Sequence, residues 1–190
     1  LSCHRDVEEW LCPDWVLDTE DWSFSWRSLR RPPPISVELL RTDRRAWPAF
    51  ERHHYLKVGP AVGAYYIGAV DGEAACHVAV SRSATGSVRL TRLVVMPEWQ
   101  GAGIGLRFLD AVADGWRTGA FSFDHKPDRA VRIHTSHPGL IAGLARRPGW
   151  QREATILAKG RPERPTSHVN RRMTNGHTRA VSQFLYVGAA

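Results

Sequence analysis

Cysteine is scarce in this chain of 190 residues, with only Cys3, Cys12 and Cys76. Three irregularly placed thiols cannot form a disulfide framework, which excludes the small stapled secreted classes and fits a reducing, cytoplasmic setting. No second ligand pair follows Cys3, His4 and Cys12 at usable spacing, so no metal centre is expected. Long apolar runs are also missing. No stretch approaches the roughly 20 residues of a membrane span, and the polar N-terminus lacks the apolar segment of a secretory leader. No membrane partner is expected.

What is present suits one ordinary domain with an appendage: 43% of residues are hydrophobic, enough for a sizeable core. The net charge of +7 and a pI near 9.9 favour an anionic partner, either nucleic acid or a phosphate-rich small molecule. The positive charge is spread along the chain, although Arg161, Arg164, Arg171 and Arg172 thicken it near the C-terminus. Charge alone does not choose between those partners.

Residues 1–34 stand apart. They carry Trp10, Trp15, Trp22 and Trp26 and end in "RRPPP", which can be neither helix nor central strand. Arg30 to Pro34 therefore reads as an extended linker, dividing an N-terminal extension (1–34) from a domain over 35–190. The first residue is Leu1 rather than methionine, as expected of a piece cut from a longer chain.

Beyond the linker, residues 35–40 read as a strand and 43–56 as a helix capped by Asp43. Two apolar runs flank Asp71-Gly72, the strongest short hairpin signal. Residues 87–96 form a third strand of this meander, and its phase changes midway. Val88 and Leu90 share one face, whereas Leu93 to Met96 are apolar on both, as burial of both faces or a β-bulge would require. Ile104, Phe108, Ala111, Val112 and Trp116 fall at helical spacing and predict an amphipathic helix packed on a sheet. A strand over 130–136, a short helix stopped by Pro148-Gly149, a strand over 154–159, a loop over 160–177 and a strand over 180–188 complete the order β-α-β-β-β-α-β-α-β-β. That order predicts a mixed α/β (α+β) fold, a sheet with helices packed on it.

The segment "MPEWQGAGIG" (96–105) asks for an explanation, because each glycine inside a helix costs about 0.5–1 kcal/mol relative to alanine. A strand, a glycine turn and a helix N-terminus make an anion-binding device from free backbone N–H groups and the helix dipole. The spacing is not that of a P-loop, which ends in Gly-Lys-Ser/Thr, nor the G-x-G-x-x-G of dinucleotide folds. It is Q-x-x-G-x-G: Gln100, Gly103 and Gly105, directly after the apolar strand and Pro97.

On those residues the chain resembles the GNAT superfamily of N-acyltransferases over residues 35–188. The resemblance implies a mostly antiparallel sheet with a central splayed parallel pair, and an acyl-CoA cosubstrate such as acetyl-CoA. It implies that Gln100, Gly101, Ala102, Gly103, Ile104 and Gly105 hold the pyrophosphate. Val94 and Val95 would lie beside the thioester, with a backbone N–H polarising its carbonyl. The strand Val131 to Thr135 would splay from the motif strand to admit the pantetheine arm.

Two groups usual in the family are missing. The helix that often carries a tyrosine acid reads "LIAGLARRPGW", with Ala145 at the matching place. The stretch that often carries a glutamate reads Arg89-Leu90-Thr91-Arg92. The candidate replacements are His54, His53 and His134, with Tyr55 and His137 nearby. A neutral imidazole is a suitable general base, with an expected apparent pKa of about 6–7.

The first twenty residues, with His4, Asp6 and "PDWVLD", resemble the end of an ABC-type ATPase domain, although no Walker motif is present. An ABC-type ATPase partner, covalent or separate, is what that resemblance implies. The reading is thus an acyl-CoA-dependent N-acyltransferase acting on an unidentified amine acceptor. The alternatives are a nucleic-acid-modifying transferase on the same scaffold and a non-catalytic CoA-binding module.

Overall fold

The structure, a computed structural model, describes residues 13–26, 34–82, 86–121, 129–156 and 180–188. Cys3, His4, Asp6, Trp10, Cys12, most of the linker and the loop read over 160–177 lie outside them. The chain divides into two compact units, Leu1–Ser36 and Val37–Ala190. The first contains an antiparallel pair, β1 (Trp15–Leu17) and β2 (Phe24–Trp26), with Trp15 opposite Trp26. Alternation sets Trp15, Phe24 and Trp26 on one exposed face, where neighbouring rings stack at 6.1 and 6.4 Å.

The second unit runs β3 (Glu38–Thr42), α1 (Trp47–Glu51), β4 (Ala64–Val70), β5 (Glu73–Arg82), β6 (Val88–Val95), α2 (Ile104–Arg117), β7 (Val131–Thr135), α3 (Pro138–Ala145), β8 (Trp150–Ile156) and β9 (Val181–Tyr186). The strands form one sheet in the order β3-β4-β5-β6-β7-β9-β8. Every neighbouring pair is antiparallel except β6 and β7. The fold is therefore the mixed, mostly antiparallel architecture with a central parallel pair.

Local chemistry sets the boundaries. Asp43 accepts from the Arg45 N–H at 2.7 Å and starts a single 3-10 turn, Arg44–Ala46, ahead of α1. The expected helix over 43–56 is cut short at Glu51. Tight turn bonds, His53 N–H to Phe50 and His54 N–H to Glu51, replace the helical ladder, and the His54 ring engages the Leu56 backbone. A side chain competing for backbone groups is a common reason for a helix to stop. Asp71 and Gly72 both have positive φ, 51° and 81°, which is the type I′ hairpin turn their sequence predicted.

One face of the sheet packs Tyr66, Val78, Val80, Leu90, Ile133 and Phe184 against α2 and α3. The other packs Tyr65, Ala79 and Val94 against Trp47 and Phe50 of α1. The α2 stripe is Ile104, Phe108, Leu109, Val112, Ala113 and Trp116; Ala111 is exposed, just past its edge. Asp110 accepts from Trp150 Nε1 at 2.7 Å and from Arg147, tying α2 to the start of β8.

Leu90 and Val94 lie on opposite faces although four residues separate them. A β-bulge explains the inversion. His77 pairs with Val94 and Ala79 with Thr91, so Arg92 and Leu93 oppose the single residue Val78. One extra residue flips every later side chain to the other face. Arg92 adopts φ 57°, the left-handed region that a non-glycine residue enters at a cost of about 1–2 kcal/mol. His77 Nδ1 donates to its carbonyl at 3.0 Å, and the Arg92 side chain donates Nε to Gly59 O at 3.0 Å.

His77 is fully buried among Trp47, Phe50 and Tyr65, and its Nε2 has no hydrogen-bond partner. Burial lowers its pKa from 6.5 to about 4, only partly offset by the Arg92 carbonyl. Between those values the unfolded chain binds the proton that the folded one rejects, so stability falls as pH drops from about 6.5 towards about 4. The melting temperature should decline through that window. His77→Gln, which keeps a donor but cannot titrate, should flatten part of the decline.

Candidate functional site

The parallel pair is short. It runs Val88–Val131, Arg89–Arg132 and Leu90–Ile133 and then stops, although β6 continues to Val95 and β7 to Thr135. The bulge turns β6 away just where the pairing ends. The two strands splay and open a cavity of ≈ 220 Å³. Its walls are residues 89–93 of β6, residues 133–136 at the end of β7, and His54, Tyr55 and Leu56 from the loop after α1. The exposed Tyr55 ring meets His137, the N-cap of α3, edge to face at 5.8 Å.

His54 lines this cavity and is only 8% exposed. Its Nδ1 lies 2.8 Å from the Leu56 carbonyl and 3.2 Å from the Leu56 nitrogen. The carbonyl contact is the shorter, which favours the tautomer with hydrogen on Nδ1 and the lone pair on Nε2. Burial lowers the His54 pKa from 6.5; the Leu56 carbonyl opposes this and the Arg92 charge adds to it. His134, half-buried on β7, also lines the cavity. Its pKa is lowered by burial first, then by the charges of Arg89 and Arg132. Both rings are therefore neutral bases at neutral pH.

His53 does not line the cavity; its Nε2 accepts from Arg52 Nε at 2.8 Å. Nothing in "HHY" distinguishes the two histidines; the tight turn after α1 does, by burying one and leaving the other beside Arg52. Val94 and Val95 are not cavity-lining side chains either. Val94 is buried against the α1 cluster, and Val95 packs on the opposite core. What they can offer a ligand is backbone. His77 and the left-handed Arg92 were not singled out from sequence, although the phase change along residues 87–96 was their signal.

The glycine turn begins one residue beyond β6. A 3-10 turn at Pro97–Trp99 leads to Gln100, whose side chain donates to the Val95 carbonyl at 3.0 Å and so closes the loop on its own strand. Gly101 and Gly103 have φ of 83° and 75°, and a Cβ on either would meet nothing within 4 Å. These two glycines supply backbone direction and leave open space above Ala102, which is exposed. Gly105 has a different task. A Cβ there would lie 2.6 Å from Val95 Cγ2, so its absence lets α2 start against β6. Gly103 is the α2 N-cap with no side chain capping the helix, Ile104 is buried beneath it, and no acidic residue occupies the first turn. The free N–H groups and the helix dipole are left available for an anion such as a pyrophosphate.

Ala145 ends α3 and is exposed, and among the described residues that line the cavity none is Asp or Glu. Tyr55 is the tyrosine that reaches it.

No family model matches the sequence, and no curated protein matches it. Solved structures do match in fold. The ribosomal-protein-S18-alanine N-acetyltransferase from Escherichia coli is 14% identical with a TM-score of 0.53, covering 82% of this chain and 96% of that one. Ard1 from Thermoplasma volcanium is 10% identical with a TM-score of 0.52, covering 80% and 99%. A Bacillus subtilis acetyltransferase in complex with CoA is 14% identical with a TM-score of 0.51, covering 80% and 98%. At these identities the likeness establishes the fold expected from the glycine motif.

Because Gly105 is required for close packing, Gly105→Val should overpack the α2–β6 contact and cost about 1–3 kcal/mol. A lowered urea midpoint with an unchanged slope would report it. Gly101→Ala meets open space and should cost only its backbone strain, about 1–2 kcal/mol.

Proposed function

We propose that the chain is an acyl-CoA-dependent N-acyltransferase that passes an acetyl or other acyl group to an amine acceptor. The observation that carries this reading is one juxtaposition at the C-terminal end of β6. A bulged strand splays from its parallel neighbour, and an uncapped, acid-free helix N-terminus follows a glycine turn. That the fold neighbours include acetyltransferases, one of them with CoA, supports it. Gln100 to Gly105 would hold the pyrophosphate through backbone N–H groups. The gap past Leu90 and Ile133 would take the pantetheine arm, with the Val94–Val95 backbone beside the thioester.

When bound, acyl-CoA supplies a thioester, an activated acyl group that an amine can take up with release of the thiol. His54 accepts the proton that the acceptor nitrogen sheds as its new bond to carbon forms, using the ring nitrogen not tied to Leu56. His134, across the cavity, is the second candidate base, and His53, outside the lining, is the weakest of the three. No tyrosine acid at the end of α3 is needed: the C–S bond breaks with its electron pair on sulfur, a thiolate is a far better leaving group than an amide ion, and it leaves as the anion and then takes a proton from solvent.

A cytoplasmic setting belongs to the same proposal; Cys76 is a buried free thiol, and no helix among the described residues is long and apolar enough to cross a membrane. The net charge of +7 is the one observation that favours a nucleic-acid acceptor. An ABC-type ATPase origin for residues 1–34 rests on the order of His4, Asp6 and the strand at Trp15–Leu17.

Calorimetry should show acetyl-CoA binding in the micromolar range, lost in Gly103→Val, whose branched side chain is strained at φ 75° and fills the open space over the turn. Unchanged binding would overturn the assignment. His54→Gln should slow turnover about 10²–10⁴-fold with acetyl-CoA affinity intact. The lowered pKa of His54 also moves the acid limb of the rate profile. Rate should rise with pH through a midpoint below 6.5, rather than at the 6–7 of an ordinary imidazole.

A further inference from the structure

Arg92 is a cation partly removed from water with no anion to meet it. Its Nε is committed to Gly59 O, Nη1 donates to the Thr91 hydroxyl at 3.2 Å, and the guanidinium sits 6.0 Å from the Trp47 ring centroid. Among the described residues neither a hydrogen-bond acceptor for the outer Nη2 nor a carboxylate paired with this side chain is found. Arg89, three residues earlier on β6, also lines the cavity and also lacks an ion pair among the described residues. The nearest acid on the β7 side, Glu153, is already held by Arg132 at 2.8 and 2.9 Å and by Gln183.

Desolvating a guanidinium without a counter-charge is costly, and arginine cannot shed its proton to escape. The left-handed backbone at Arg92 adds strain at the same residue. Strain and an unmet charge persist together where the group has a task. Burial first, and then the arginine charges, lower the pKa of both facing rings, Arg92 acting on His54 and Arg89 with Arg132 on His134, while Glu51 and Glu153 oppose them weakly, so the imidazoles are biased to the neutral form. Among its described lining residues the cavity thus offers two fixed positive charges, two imidazole bases and no carboxylate.

Resting on the acyltransferase reading, we infer that the acceptor is a small amine carrying a carboxylate or phosphate at its other end, held by Arg92 and Arg89 while its nitrogen faces His54. A guanidinium matches either anion in bidentate fashion. The cavity of ≈ 220 Å³ must also admit the thioester end of the pantetheine arm, which leaves room only for a compact acceptor. A simple cationic amine is disfavoured twice, by the arginines that repel it and by the missing acid that would greet it.

The test is equilibrium binding, read by saturation-transfer NMR with CoA present and scored separately from thiol release. The probes are β-alanine and 4-aminobutyrate against their amides, and phosphoethanolamine against ethanolamine. The anionic member of at least one pair should bind about tenfold or more tightly. Whether carboxylate or phosphate wins identifies the anion. Arg89→Gln, an exposed position where misfolding is not expected, should erase most of the preference, and Arg92→Gln the rest. Equal binding within every pair, or a preference unchanged in both variants, overturns the inference. A charge preference without thiol release from acetyl-CoA keeps the anion site and overturns the acyltransferase reading. Thiol release that is indifferent to acceptor charge does the reverse.

Discussion

The bulge at Arg92 and Leu93 is the constraint on which the site depends. Without it β6 would continue in phase, Val94 would face the same core as Leu90, and β6 could stay paired with β7 to the end of both strands. With it the strand turns, the pairing stops at Leu90 and Ile133, and a gap opens in the middle of an otherwise closed sheet. A non-glycine residue does not hold a left-handed conformation unaided. Here it is fixed from two sides: His77 grips the carbonyl, and the Arg92 side chain reaches back to the loop at Gly59. The residue that forms the bulge also charges the cavity, so shape and electrostatics are set by one position.

The second layer of the argument is desolvation. His54, His77 and His134 all have lowered pKa values, and burial is the leading cause in each. Their uses differ because their ring nitrogens differ. His77 spends Nδ1 on the bulge and keeps Nε2 without a hydrogen-bond partner among Trp47, Phe50 and Tyr65, so its one polar contact positions Arg92. His54 spends Nδ1 on its own loop and stands at the cavity wall. One mechanism of pKa depression thus yields a structural group in one place and a candidate base in another.

Much of this architecture was legible in the sequence where a local rule decides it. Asp71-Gly72 specified its turn, the Asp43 cap its 3-10 turn, and the glycine spacing after Pro97 the strand–turn–helix. The out-of-phase apolar run along residues 87–96 already contained the bulge. What was hidden depends on partners far along the chain. The end of α1 is the exception: the turn bonds and the Leu56 backbone that stop it at Glu51 and set His54 apart from His53 are local, but the residue types there do not announce them. His77 sits in a strand buried on both faces from Ala75 to Val80, and its role appears only when Trp47, Phe50 and the Arg92 carbonyl converge on it. Ala111 reads as part of the buried stripe, yet it lies just past the stripe's edge and is exposed.

Among the described residues, a cavity wall without carboxylates and two arginines without ion pairs are two aspects of one electrostatic design. A glutamate on the motif strand would draw an ammonium acceptor in and hold it charged, and a base would then have to discharge it against that attraction. Replacing the stretch by Arg89-Leu90-Thr91-Arg92 reverses the sign of the wall. Positive charge nearby favours the neutral form of an amine, so on the proposed reading part of the base's work would be done by the field before His54 accepts a proton. The same field favours negative charge wherever it develops, on a carbonyl oxygen or a departing sulfur, which reduces the need for a dedicated acid at the end of α3. Such a wall attracts a bare ammonium poorly, and this difficulty is removed if the acceptor brings its own anion to neutralise the arginines as it enters.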